Sequence, residues 1–245
     1  MTITITQPKR ESLASIEARI FAHTVSTIKQ SKRESLKSIE ARIGTLSNPG
    51  KMPGFGTSIP AHLCNVGGKL RLVPGSVCWD CYAFKGRYRQ SNVQKALLKR
   101  YQALTLPTWV DDMSELINRK CVDAKRFFRW YDSGDVQNLA HLVNIIAVCN
   151  RTPNVSHWLP TREYKIVQTF LANGGIIPPN LVIRLSSHMV DSPAPTGYGL
   201  PTSRVETITT SDSGHGCPAR FQNDECGDCR ACWNPEVLKV SYYKH

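Results

Sequence analysis

Seven of the nine cysteines stand in two groups whose spacing suits metal or cluster ligation. Cys217, Cys226, Cys229 and Cys232 form a C-x8-C-x2-C-x2-C run, and Cys64, Cys78 and Cys81 form a C-x13-C-x2-C run ending in CWDCYA. A two-residue step turns successive sulfurs to the same side of a tight loop, as in the loops that wrap iron-sulfur clusters. Four thiolates also suit tetrahedral zinc, but zinc ribbons use two well-separated C-x2-C knuckles. A 4Fe-4S cluster at the tail is therefore the expectation and zinc the alternative. Three cysteines in the first group would leave one iron of a cluster open to substrate or cofactor, and an open position is the mark of a catalytic metal centre. A structural zinc there would need a fourth ligand, a distant histidine or one of Cys121 and Cys149. Those two otherwise read as small buried hydrophobes near apolar helical sequence. His215, two residues before Cys217, reads as a loop histidine that could substitute as a ligand. Spacing leaves open whether the seven cysteines build one site or two.

An odd count of nine with close-set pairs suits metal-bound thiolates in a reducing compartment better than a disulfide framework. No apolar run approaches the roughly 18 residues that cross a bilayer, and MTITITQPKR lacks the hydrophobic stretch of a secretory signal. The expectation is a soluble, cytoplasmic protein with no membrane partner.

The elements that must position these cysteines alternate in type. RFFRWYDS reads as a strand, NLAHLVNIIAVC as a helix, VSHWLPT as a strand, EYKIVQTFLANGG as a helix ending at a glycine pair, LVIRLSS as a strand and RVETITT as another. Such alternation implies βαβ units, hence an α/β fold with a parallel sheet. The expected form is a partial parallel (βα) barrel with a helical N-terminal extension and a Cys-rich C-terminal loop. Functional groups gather at the carboxyl ends of such strands. Those ends are polar here: Asp132, Ser133, Gly134 and Asp135, then Thr161 and Arg162, then Ser186, Ser187 and His188. Asp132 suits catalysis, whereas Asp135 suits capping of the helix that follows, and His188 reads as a polar rim residue. Upstream, SNVQKALLKRYQAL and TWVDDMSELINRK carry helical spacing, with Pro107 placed to open the second. Residues 48–77, rich in Gly and Pro, predict loops with a short hairpin rather than helix.

KRESLASIEARI at 9–20 returns as KRESLKSIEARI at 32–43, and in each copy the apolar residues lie three and four apart on one helical face. Residues 1–47 are thus expected to form a helical arm that docks on the body, on a second copy of the chain or on a host protein, leaving 48–245 as an α/β iron-sulfur domain. The 31 Lys and Arg against 19 Asp and Glu give a net charge of +12, which favours polyanions, nucleic acid among them. Between Tyr82 and Leu104 lie Lys85, Arg87, Arg89, Lys95, Lys99 and Arg100 with no acidic residue, interleaved with Phe84, Tyr88 and Tyr101. Cations neutralise phosphates and aromatic faces stack on bases; a solvated helix face is the plainer account.

The series GKMPGFGTSIPAHLCNVGGKL, GSVCWDCYA, FRWYDSGDVQN, HWLPTREY, RLSSHMVD and CPAR with CGDCRACW resembles the bacteriophage gene product 88 family, from about residue 49 to 235. It is also similar to phage proteins that look like radical S-adenosylmethionine (SAM) enzymes, in which three cysteines hold a 4Fe-4S cluster and SAM chelates the fourth iron. That resemblance implies Cys64, Cys78 and Cys81 as cluster ligands, with Asp132, Ser133, Gly134 and Asp135 facing the SAM or substrate position. It further implies an auxiliary cluster on Cys217, Cys226, Cys229 and Cys232, and the host cytoplasm as the location. An alternative is a non-enzymatic basic module that binds nucleic acid or a host protein and is braced by zinc or a cluster. A second alternative rests on D-S-G-x-x-Q at 132–137 and LPTR at 159–162, which are similar to signatures of transglycosylases that insert deazaguanine bases.

Overall fold

A computed structural model describes residues 34–244, apart from 194, 209, 211 and 213. Seven strands line up in the order β1-β2-β3-β4-β5-β7-β6, and every neighbouring pair is parallel. They are β1 (Phe55–Thr57), β2 (Phe127–Trp130), β3 (Ser156–Thr161), β4 (Leu181–Ser186), β5 (Thr202–Glu206), β6 (His215–Gly216) and β7 (Lys239–Tyr243). The expected α/β class with a parallel sheet is what forms. The sheet stays open, with β1 and β6 as its edges, and does not close into a barrel.

Among the described residues six α-helices accompany it: α1 (Leu36–Ile43), α2 (Asn65–Leu70), α3 (Ser91–Ala103), α4 (Trp109–Lys120), α5 (Leu139–Arg151) and α6 (Tyr164–Ala172). Parallel neighbours need crossovers, and α5 and α6 supply those from β2 to β3 and from β3 to β4. The period-2 alternation of strands divides the residues between two faces. Phe128, Trp130, Leu159, Ile183 and Leu185 join Trp109, Met113, Leu116 and Ile117 of α4 and Leu142 and Ile145 of α5 in one core. From the other face, Phe127 and Trp158 meet Trp233 of the C-terminal segment, with ring centroids 5.5 and 5.2 Å apart. Arg184, fully buried, donates from Nη1 to the Thr202 and Val237 carbonyls at 3.0 and 2.9 Å and from Nη2 to Ala231 O at 3.1 Å. One side chain thereby ties the cysteine tail to the middle of the sheet.

Leu36–His245 make one compact unit, and α1, from the second copy of the repeat, belongs to it. Ile39 and Ile43 sit in the core, and Arg42 donates from Nε to Asp112 Oδ2 of α4 at 2.9 Å. The first copy, 9–20, lies outside the described residues. Among the described residues no helix is long and apolar enough to cross a membrane.

The expectation for 48–77 needs correction. A minimal hairpin forms, Ser47 and Gly56 exchanging two backbone hydrogen bonds of 2.8 and 2.9 Å in an antiparallel bridge, but the stretch is not free of helix, and β1 adds to the edge of the sheet beside β2. Gly54 permits this, because a Cβ there would stand 1.9 Å from Phe127 O. Within the same stretch NVGGKL forms α2 despite two glycines. The amide of Val66 donates to Glu163 Oε1 at 2.8 Å, so a side chain from a distant loop satisfies an N-terminal donor that the local sequence leaves open.

Candidate metal centre

The carboxyl ends of β1 to β4 share one rim, and backbone pairing fastens the first cysteine loop to it. Tyr131 N donates to Thr57 O at 3.0 Å, and Ile59 and Ser133 exchange a backbone and a side-chain hydrogen bond, both 3.0 Å. Further along, Val77 N donates to His188 O at 2.9 Å and Val190 N to Gly75 O at 3.0 Å, so the segment bearing Cys78 is pinned to the end of β4. Asn65 Nδ2 donates to Gln137 O at 3.0 Å and holds the start of α2 over the β2 end. These tethers bring Cys64, at the N-terminus of α2, to Cys78. The Sγ atoms of both lie 3.6 Å from the point that a Cβ on Gly67 would occupy.

The three thiols act on one another. Burial pushes Cys64 up to about 12, with Asp135, Cys78 and Cys81 adding to the rise and Arg162 opposing it. Burial also raises Cys78, again against the Arg162 guanidinium. Arg162 is placed by its surroundings: its amide donates to Asp135 Oδ2 at 2.9 Å and its Nε to Ser187 O at 3.2 Å. Cys64 and Cys78 are therefore half-buried neutral thiols beside the Arg162 guanidinium. A bound metal would invert that protonation, because ligation demands the thiolate.

The four predicted residues at the β2 end have different surroundings. Tyr131 adopts a left-handed backbone, φ 59°, unusual for a bulky residue, and turns the chain there. Asp132 follows. Its carboxylate accepts from Ser58 Oγ and from Tyr88 Oη at 3.0 Å, its carbonyl accepts from Tyr82 Oη, and it lines a cavity of about 310 Å³. Ser133 is consumed by the β1 tether. Gly134 has φ 88° and lies so close to Ile59 that a Cβ would come within 2.2 Å of Cγ1. Asp135 is buried and accepts from Val136 N (2.8 Å), Thr161 Oγ1 (2.6 Å) and Arg162 N (2.9 Å). Burial lifts its carboxyl above the usual range although these donors pull the other way. The capping expectation for Asp135 is incorrect: Asn138 caps α5, its side chain accepting from His141 N at 2.9 Å. Asp135 instead joins the β2 end to the β3 end. His188 keeps a rim position, its ring stacked on Tyr164 at 4.5 Å.

The tail cysteines form the second set. Cys226 feels Cys217 and Cys229 after the dominant effect of burial, and burial likewise drives Cys232 up to about 12, with Tyr242 and Arg184 opposing and Cys217 reinforcing. Tyr242 Oη lies 3.2 Å from Cys232 Sγ, and His215 Nε2 lies 3.3 Å from Cys229 Sγ. Arg129 stands between the sets, its guanidinium 4.7 Å over the Trp158 ring and its Nε buried without a partner. Burial disfavours its charge, yet Tyr82, Asp132, Tyr242 and Cys232 together carry it above its ordinary value. Cys121 and Cys149 lie in the hydrophobic core. Among the described residues, no three or more His, Cys, Asp or Glu side chains are arranged to hold a single metal ion.

Sequence reasoning missed Arg129, Glu163 and Gly67. For Arg129 a signal existed, since a cation in the middle of FFRW interrupts an otherwise aromatic strand. Gly67 and Glu163 carry none, because their partners are remote in sequence. No curated protein and no solved structure matches the chain. The model of the Gene product 88 family matches residues 26–235, a span that holds β1 to β6, the rim and both cysteine sets, and the chain accordingly belongs to the Gene product 88 family.

Proposed function

We propose that this protein carries a 4Fe-4S cluster on Cys64, Cys78 and Cys81, in a radical-SAM-like arrangement, and works on or near nucleic acid. The observation that carries the reading is the seat in front of Gly67, where two thiols from separate segments face one glycine at the carboxyl rim of an open parallel sheet. Three ligands suit the group, and the Arg162 guanidinium stands beside Cys64 and Cys78 and offsets part of their negative charge once they ionise. Such a cluster supplies electrons at low potential and one iron free to take an external ligand such as S-adenosylmethionine. Asp135 holds the Arg162 amide, Glu163 holds the start of α2, and Asp132 offers a carboxylate to whatever enters the neighbouring cavity. On this reading Cys217, Cys226, Cys229 and Cys232 hold a second cluster.

A second reading has zinc at the tail, bracing a basic binding module. It is favoured by His215 Nε2 at 3.3 Å from Cys229 Sγ, a nitrogen donor that zinc accepts readily. Protein purified without oxygen, assayed for iron, sulfide and zinc and by its visible spectrum, separates the two. The cluster reading expects about four irons and four sulfides per occupied site, with absorbance near ~400 nm. Cys64→Ser with Cys81→Ser should remove one site's share, and Cys229→Ser with Cys232→Ser the other. Near-stoichiometric zinc without that absorbance sinks the cluster reading.

A further inference from the structure

Two hollows share Tyr88 in their linings. One, of about 310 Å³, is bordered by Arg87 and Arg100 and floored by Asp132; the other, of about 350 Å³, is bordered by His62, Phe84 and Arg89. Each can accommodate one planar base. Arg87 and Arg89 flank Tyr88 in sequence and are exposed on either side of it. A path of aromatic faces leads to this place from the trio. Trp79 is 52% exposed and Tyr82 is 53% exposed although its hydroxyl donates to the Asp132 carbonyl, so the ring is held by its buried end and presents a face. Tyr82 then meets Tyr88 edge to face, with centroids 5.8 Å apart.

From this juxtaposition we propose that Tyr88 and its flanking arginines bind single-stranded nucleic acid, with adjacent bases seated in the two hollows and their phosphates on Arg87 and Arg89. Charge decides how the strand sits. The Asp132 carboxylate on the floor of the first hollow repels phosphate but accepts hydrogen bonds from the amino or imino edge of a base, so the base goes in and the backbone stays out. Arg87 and Arg89 are exposed, where phosphates would run, whereas Arg100 is half-buried in the wall of the first hollow and donates to Thr45 O. A duplex keeps its bases stacked within the helix and has no free ring face to offer Tyr88, whereas every unpaired base has one. The inference deepens the nucleic-acid part of the proposed function and does not depend on which metal the cysteines hold.

The test is fluorescence anisotropy on the metal-replete full chain, with labelled oligothymidine and oligouridine of about 12 nucleotides and the corresponding duplex, over a series of salt concentrations. A single strand should bind more tightly than the duplex; tight binding by either sugar supports the proposal, and failure of both overturns it. Arg87→Ala with Arg89→Ala should flatten the salt slope by about 1.4, since each phosphate contact on a single strand contributes about 0.7. Tyr88→Leu should weaken binding about tenfold, and Tyr88→Phe, which keeps the ring but loses the hydroxyl bond to Asp132, should weaken it less. Metal content measured on every variant separates loss of a strand site from loss of the cluster. Equal affinity for duplex and single strand, or parental binding by both Tyr88→Leu and the double arginine variant, refutes the proposal.

Discussion

Replacing Gly67 by alanine sets helix propensity against the space in front of the thiols. Alanine is favoured over glycine within a helix by about 1 kcal/mol. If α2 were only a connector, the substitution should raise stability by an amount of that order. The new methyl would stand 3.1 Å from Cys64 Cβ and 3.6 Å from the Sγ atoms of Cys64 and Cys78. In the metal-free protein that contact is tight but is relieved by a shift of tenths of an ångström, so the apo form should melt no lower than its parent. With the thiols holding a cluster, the methyl lies against the ligand atoms, and the trio should lose its metal while the tail keeps its own. Gly68→Ala is the control. Nothing lies within 4 Å of its Cβ position, so it takes the propensity gain and leaves the seat alone. Iron, sulfide and zinc per chain, measured anaerobically beside apo-protein melting curves, give the result. Gly67→Ala protein with the same metal content as both Gly68→Ala and parent would refute the reasoning.

Two further outcomes follow from buried groups. Arg184→Leu leaves the carbonyls of Thr202, Val237 and Ala231 without their donor and should cost about 3 kcal/mol in urea unfolding; Arg184→Lys should recover little, because an ammonium cannot span both sides of the fork. His141 and His157 are held neutral by burial, at about 4 and about 3 against an ordinary 6.5. Their folded values lie below the unfolded one, so the unfolded chain takes up protons first as pH falls. The stability they confer is complete above about 6.5 and drains away toward the folded values, by about 2 kcal/mol for each histidine between pH 7 and 5. Urea titrations at the two pH values should show that loss, and His141→Asn should reduce it by roughly half. An unchanged midpoint at pH 5 would contradict the neutral assignment.

Much of the sheet was legible because local pattern suffices for it. The apolar run LVIRLSS, the glycines after α6 and the alternation of strands with helices announce parallel pairing without knowledge of any partner. The short stretch FGT was not legible as β1. Three residues carry no periodicity, and its place beside β2 depends on the approach that Gly54 allows. The helical form of NVGGKL was equally hidden, since its amide finds an acceptor 97 residues away.

By itself the sequence determined the two groups of thiols and their spacing, because two-residue steps between cysteines act within a single loop and need no other element. It determined the polar strand ends in the same way. Only the tertiary structure decided which of those ends serve the scaffold and which face open space: Asp135 is absorbed into joining β2 to β3, while Asp132, three residues away, lines a cavity. It also set Gly67 before the thiols, Arg129 between the two cysteine sets and Tyr88 in the linings of two hollows. Each of these depends on the approach of segments far apart in the chain, an approach set by packing and crossover geometry, and a one-dimensional pattern carries no term for that.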